Sequence, residues 1–431
     1  MKPILVKQLS QRQVYIWGAR IVGIGLSRDC INSGINVISF VDSDSSLHGK
    51  SINNIPVISP SALYETIQNK LASQDISIVV AVSIKEAEIT KEIKANIFSN
   101  YKNNLKVLPY SNYFGSFYTI DVVGSCNLRC ASCAHSIQDN EMSKGHISFD
   151  DVKSIIDKIQ LEDPGTTHVS LYSWGEPLIH PRLPDIIDLF HTHGIAVGIS
   201  TNLSHENFSK VEAMIRSNPD YLKISLSGFY EDAYNSTHQG GNIALVKSNM
   251  YRLRYFINKH RASTLVDINY HLYRNNNQCN LIAMTELSKE LDFGLSTVHA
   301  LVMPLERVID YCEGAASQQT NELQTIMGVT ISEGIEASKS IKIGDTCPFR
   351  ENQLNINSDL SVPVCCTVYS KDNLVSQNYL KTPLKTINQQ KQTMDICKKC
   401  MSYDLPQYNM GFNRINWDKK ASEKPSLDLL K

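Results

Sequence analysis

The sequence lacks the features that would tie it to a membrane or a polyanion. Across its 431 residues no stretch approaches the roughly 18 consecutive apolar residues that suggest a membrane span. Neither sign of charge is in excess, with 42 Lys+Arg against 43 Asp+Glu and a formal net charge of -1. That balance gives no global reason to coat nucleic acid or an anionic bilayer, so neither is expected as a partner. The N-terminal segment has no long apolar core and no small-residue cleavage site, so no signal peptide is expected and the expected compartment is the cytoplasm. There is no internal repeat of solenoid period and no long low-complexity tract. With 42% hydrophobic and 20% charged residues the composition is globular, and the length suits about three domains.

What the sequence does have is cysteine. There are 11, and in a reducing compartment clustered cysteines point to metal or redox chemistry rather than disulfides. One group is the trio Cys126, Cys130 and Cys133; the other runs from Cys347 through Cys365 and Cys366 to Cys397 and Cys400. Cys30, Cys279 and Cys312 are scattered and read as small buried hydrophobes.

The chain divides by pattern. Residues 1–112 alternate strand and helix signals as a small doubly wound α/β unit. Residues 113–320 start the alternation again, with strands expected near 118–123, 168–172, 195–200, 221–226, 265–272 and 296–301, so a parallel barrel-like sheet is expected. Residues 321–431 lose the alternation to cysteines, short β-prone pieces and polar loops, which reads as a small domain held by metal. The stretch 417–431 is polar and reads as a loose tail.

The trio, spaced x3 and x2 directly after a strand, offers three thiolates where a closed site wants four, leaving one metal position open for chemistry. The pattern CxxxCxxC after a first barrel strand resembles the radical S-adenosylmethionine (radical SAM) superfamily. Ser173-Trp174-Gly175-Glu176-Pro177 resembles its GGEP motif, with Trp174 in place of the first glycine. Thr201-Asn202 and Ile224-Ser225-Leu226-Ser227-Gly228 stand where the family carries a TN pair and an ISLDG-like segment. The resemblance covers about residues 115–310 and implies a partial (β/α)6 barrel. It implies that Cys126, Cys130 and Cys133 hold a 4Fe–4S cluster whose fourth iron binds S-adenosylmethionine, which one electron cleaves to a 5′-deoxyadenosyl radical. It implies that Glu176 binds the cofactor's amino group and that Ser200, Asn202 and Ser225 face its ribose or carboxylate. An electron donor such as flavodoxin or ferredoxin is implied as a partner. The aromatic residue that many members place just before the third cysteine is absent here, where Ser132 stands.

The C-terminal cysteines could hold zinc or iron–sulfur by composition alone. Their order, CP…CC…CxxC after such a barrel, resembles the SPASM/twitch domains. That implies one auxiliary 4Fe–4S cluster on Cys347, Cys365, Cys397 and Cys400, with Cys366 spare or exchanging roles with Cys365. At the N-terminus, residues 14–23 approximate GxGxxG, but Arg20 fills the middle glycine position that lets a backbone approach pyrophosphate. Gly18 and Asp42 are the candidate nucleotide contacts, Asp42 standing where a Rossmann fold places its ribose-binding acid. The segment resembles small Rossmann-like domains seen with sugar-modifying enzymes.

The expected reaction is hydrogen abstraction from a small polyol, amino sugar or nucleotide-linked sugar. Electron loss to the auxiliary cluster gives oxidation; hydrogen return from a thiol such as Cys312 or Cys279 gives epimerisation. The alternatives are a peptide-modifying SPASM maturase and a non-catalytic metal-binding scaffold. His271, Arg274 and His299 stand near strand ends as possible substrate contacts.

Overall fold

A computed structural model of the chain describes residues 3–70, 74–82, 85–97, 104–113, 115–137, 145–339 and 346–428. In the N-terminal unit, strands β1 (Gln13–Trp17), β2 (Val37–Val41), β3 (Ser51–Ile52), β4 (Ile55–Ile58), β5 (Ile76–Val80) and β6 (Leu105–Pro109) form one sheet in the order β3-β4-β2-β1-β5-β6. Only β3 runs antiparallel to its neighbour. Helices cover both faces, so β5 is buried at every position and reads as the continuous apolar run Ile-Ser-Ile-Val-Val. The order reverses between β1 and β5, which opens a crevice at their carboxyl ends.

The second sheet contains β7 (Phe117–Ile120), β8 (His168–Ser170), β9 (Ala196–Thr201), β10 (Tyr221–Leu226), β11 (Leu265–Leu272), β12 (Gly294–His299) and β13 (Gln353–Ile356). Its order is β12-β11-β10-β9-β8-β7-β13, and every pair is parallel. The six expected strands are all present. The seventh, β13, comes from the stretch assigned by sequence to the C-terminal domain and pairs with the strand that leads to the cysteine trio. Alternation fixes the faces: on β10 Leu222, Ile224 and Leu226 are buried under helices, while Lys223 and Ser225 stand half-buried on the inner face. The helices follow local rules. Ser148 accepts from the Asp151 amide at 3.0 Å to cap Phe149–Glu162, whose Val152, Ile155, Ile156 and Ile159 form one buried stripe.

The helix Ile21–Asn32 of the N-terminal unit lies against the barrel strands at their amino ends. Ile21 packs with Ala196 and Tyr221, and Arg28 pairs with Asp220. None of the described helices is long and apolar enough to cross a membrane.

The C-terminal region departs from expectation. Beside one short hairpin, β14 (Val362–Pro363) with β15 (Leu374–Ser376), it is mainly helical: Pro348–Asn352, Leu384–Lys391, Asp395–Ser402, Leu405–Asn409 and Arg414–Ser422. Nor is the stretch from 417 a loose tail. Trp417 is 1% exposed and its indole donates to Ser338 Oγ at 3.1 Å and to the Phe412 carbonyl at 3.0 Å. The Leu427 amide donates to the Arg274 carbonyl at 2.7 Å, and the buried Asp428 carboxylate accepts from Gln278 and Asn280. Residues 429–431 lie outside the described residues.

Candidate active site

The trio lies in a loop clamped from two sides. Beyond β7 the buried Asp121 accepts from the amides of Gly175 at 3.1 Å and Trp174 at 3.3 Å, and the Glu176 amide donates to the Ser125 carbonyl at 2.9 Å. Gly175 is dictated by this approach, since a Cβ there would sit 1.5 Å from the Val123 carbonyl oxygen. On the other side the amides of Arg129 and Ala131 each donate at 2.9 Å, to the carbonyls of Gln239 and Thr237. Segments following β8 and β10 therefore hold the loop at the carboxyl ends of the strands, where barrel enzymes place chemistry.

The three thiols sense one another. Burial pushes the Cys126 thiol up to about 12, the Glu176 carboxylate adds to the shift, and the Leu128 amide and Asn202 amide group oppose it. Those two N–H groups reach the Cys126 sulfur at 3.4 and 3.6 Å. Cys130 is raised by burial, then by Cys133 and Cys126; Cys133 is raised by burial against the amides of His135 and Ala134. Sulfurs so desolvated ionise only beside a strong cation, while N–H donors aimed at sulfur suit a ligating thiolate. Among the described residues no three His, Cys, Asp or Glu side chains form a group that could hold a single metal ion. A cubane asks something different, one thiolate on each of three irons. The donor set fits such a cluster.

Glu176 is 2% exposed and well bonded. Oε1 accepts from the Leu178 amide at 3.0 Å and from Thr201 Oγ1 at 2.7 Å; Oε2 accepts from the Asn202 amide at 2.8 Å and has capacity for a further donor. Burial raises its pKa and these donors oppose the rise. Glu176→Gln must turn an NH2 toward an amide that now donates to it. The expected result is a loss of about 1–3 kcal/mol in urea unfolding, with weaker S-adenosylmethionine binding by calorimetry. Asn202 is already engaged: its Nδ2 donates to Asn127 Oδ1 at 2.9 Å and its Oδ1 accepts from the Ser204 amide at 2.8 Å, so it ties the trio loop to Glu176. Ser200 and Ser225 stand half-buried on the inner faces of β9 and β10. Ser132 accepts from the Tyr273 hydroxyl at 3.1 Å, and Trp174 packs edge-on against Tyr369, 5.3 Å between ring centres.

Sequence reasoning missed Asp121, Asn127 and Tyr273, and it named Thr201 only as half of the TN pair. Asp121 alone left a signal, an acid inside the apolar run Tyr-Thr-Ile-Asp-Val-Val.

In the C-terminal region Cys347, Cys365, Cys397 and Cys400 line one small cavity. Cys366 does not line it; its neighbours are Cys365, Cys347 and, on the inner face of the barrel, Lys223. Burial pushes the Cys397 thiol up to about 12, with Cys365 adding to it, and raises Cys400, with Cys365, Cys347, Cys397 and Cys312 adding. Cys312, the last residue of the helix Leu305–Cys312, is thus placed beside Cys400 rather than with the trio. Arg274 donates to the carbonyls of Thr325 and Pro425, and His299 pairs with Asp418 at 2.8 Å. Both hold the C-terminal segment, while His271 lies on the inner face of β11.

At the N-terminal crevice Gly18 makes the turn after β1 at a φ of +112° that suits glycine. Asp42 is committed to the fold: Oδ2 accepts from the Ala19 amide at 3.0 Å and Oδ1 from the Asp44 amide at 2.9 Å. Arg20 pairs with Asp44 at 2.6 Å, Asp267 at 2.9 Å and Asp42 at 3.5 Å. The residue that displaces the pyrophosphate glycine therefore bridges the N-terminal unit to β11. A pocket lined by Trp17, Gly18, Arg20, Asp42, Lys85 and Met410 remains beside it.

A family match spans the trio and Glu176. Residues 120–271 match the family model described as the radical SAM superfamily. Over 83 residues the chain is 31% identical to the tungsten-containing aldehyde ferredoxin oxidoreductase cofactor-modifying protein of Pyrococcus furiosus, covering 19% of this chain and 22% of that protein. The chain thus matches about a fifth of the length of that curated relative. Among solved structures, anSMEcpe with bound AdoMet is 16% identical over 72% of this chain and 93% of its own, with a TM-score of 0.46. SuiB of Streptococcus suis bound to precursor peptide SuiA is 17% identical over 84% of this chain and 76% of its own, with a TM-score of 0.44. BtrN in complex with AdoMet and 2-DOIA is 10% identical over 73% of this chain and 92% of its own, with a TM-score of 0.37.

Proposed function

From a chain that carries a radical SAM domain over residues 120–271, we propose an oxidase of a small, hydroxyl-bearing substrate held inside the barrel. When bound, a four-iron cluster with S-adenosylmethionine supplies the radical that takes a hydrogen atom, and a second cluster accepts an electron. Cys126, Cys130 and Cys133 would hold the first; Cys347, Cys365, Cys397 and Cys400 would hold the second. Glu176 would bind the S-adenosylmethionine ammonium through Oε2. The hydrogen-bonded clamp from Asp121 and from the Thr237–Gln239 carbonyls would keep the loop from moving under it.

The observation that supports oxidation is the pairing of β13 with β7. It ties the segment between Cys347 and Cys365 to the strand that delivers the trio. A carbinol that loses a hydrogen atom from carbon, a proton from oxygen and one electron becomes a ketone, so the second electron needs such an acceptor. The inner face supports a polar substrate, since Ser200, Lys223, Ser225 and Asn269 alternate there with buried apolar residues.

The test is anaerobic reconstitution, counting iron and 5′-deoxyadenosine with separate pools of polyols, nucleotide-linked sugars and peptides. The expected result is about eight irons per chain, as two four-iron clusters require, with a sugar or polyol product lighter by two hydrogens. Turnover of peptides alone would replace the substrate assignment. Four irons with one zinc would replace oxidation by a redox-neutral reaction.

A further inference from the structure

The inner face of the barrel holds a cation that no acid answers. Lys223 stands midway along β10, level with Ser200 of β9 and Asp267 of β11. Asp267 turns elsewhere: its Oδ2 accepts from Arg20 Nε at 2.9 Å, Tyr221 OH at 3.0 Å and Ser296 Oγ at 2.9 Å, and its Oδ1, buried without a partner, lies against Gly294 of β12. Among the described residues no carboxylate pairs with Lys223, whose ammonium stands over the Tyr172 ring, 4.7 Å from its centre. The other titratable groups near it are Cys366 and His271, the latter brought down to about 4 by burial and then by the ammonium.

Deeper along the same face two polar side chains bond nothing. Asn355 of β13 is 2% exposed, and neither its Oδ1 nor its Nδ2 has a partner. Ser170 of β8 is 1% exposed with its Oγ unpartnered. Register puts both level with Thr119 of β7, which lies between them. Ser170 is also level with Gly198, two residues before Ser200, so this row lies about 6–7 Å below Lys223. A buried amide or hydroxyl left unbonded is costly, and a half-buried lysine without an acid adds to that demand. A lone cation above unpartnered neutral groups, on a face that Ile21 closes beside Gly198 and Tyr221, matches a ligand that is anionic at one end and hydroxylated at the other.

Resting on the reading of the barrel as the substrate chamber, we propose that the substrate carries an oxyanion, a carboxylate or a phosphate, received by Lys223. Asn355 and Ser170 take its neutral hydroxyl or amide groups. The test uses the full-length chain without iron and two probes that carry the anion alone, inorganic phosphate and acetate. Each is titrated calorimetrically at low salt into the wild type, K223Q and K223R. One of the two binds the wild type; K223Q weakens it about tenfold or more and K223R keeps it within about threefold, because only the first loses a charge-assisted bond. A preference for phosphate marks a phosphorylated substrate, and a preference for acetate a carboxylic acid. Binding of neither anion, or equal binding by K223Q, overturns the proposal. So does an S-adenosylmethionine affinity that falls in K223Q together with the anion's, since Lys223 would then serve the carboxylate of that molecule. Formation of 5′-deoxyadenosine by the reconstituted wild type reads the radical chemistry separately, so either idea can fail without the other.

Discussion

Cys126→Ala is expected to abolish 5′-deoxyadenosine formation and to remove about half of the iron, one four-iron cluster of two. Cys126 opens the trio, and its sulfur draws the Leu128 amide and the Asn202 side chain. The loop should keep its path without the thiol, because the bonds from Arg129 to Gln239 and from Ala131 to Thr237 are made by the backbone. Loss of iron would therefore report a lost ligand and not a lost fold, which circular dichroism on the same samples would check. Cys30→Ala is the control. Cys30 is buried in the N-terminal core, so removing its sulfur should cost stability and leave iron untouched. A Cys126→Ala protein that retains all its iron would remove the trio from the cluster assignment.

The largest effect on stability is expected from Arg20→Ala. Its guanidinium, 28% exposed, meets the carboxylates of Asp42, Asp44 and Asp267, and Asp267 has only 4% of its side chain exposed. Taking away one partner of a buried pair leaves a desolvated charge and costs about 3–5 kcal/mol. The lower end, about 3 kcal/mol, is expected here, because the guanidinium is partly hydrated and Tyr221 and Ser296 still donate to Asp267. Urea denaturation should show the midpoint falling, with the N-terminal unit separating from the barrel in a transition of its own. Arg20→Lys should recover only part of the loss, since one ammonium cannot span three carboxylates. A midpoint unchanged by Arg20→Ala would mean that the two units are held by the apolar contacts of Ile21 alone.

The strands of the barrel were legible because apolar or alternating runs are followed closely by helices, three of which start at a capping Ser148, Asn207 or Asn242. β13 was not. It is the four-residue segment Gln-Leu-Asn-Ile in a cysteine-rich stretch, and its partner strand ends at Ile120. The C-terminal helices are five to nine residues long, too short for periodicity to register, and depend on buried anchors such as Tyr408 and Trp417. In the candidate site, motif order named the trio and Glu176, whose carboxylate the fold brings within reach of Cys126. Arg20 was visible only as a missing glycine, because its role depends on an acid 247 residues away. Lys223 was passed over because a lysine in an alternating strand reads as a solvated face, and only closure of the sheet turns that face inward.

The place of β13 also orders the birth of the protein. β7 leaves the ribosome early, but its free edge waits for Gln353–Ile356, made after the rest of the barrel. Until then the strand that leads to the trio has one unpaired side. Cys365, Cys397 and Cys400 follow within the same last stretch. Iron delivered during synthesis would meet an open site and an incomplete set of thiols. On the proposed ligand sets, a nascent chain halted before residue 353 would be a poor acceptor for either cysteine group.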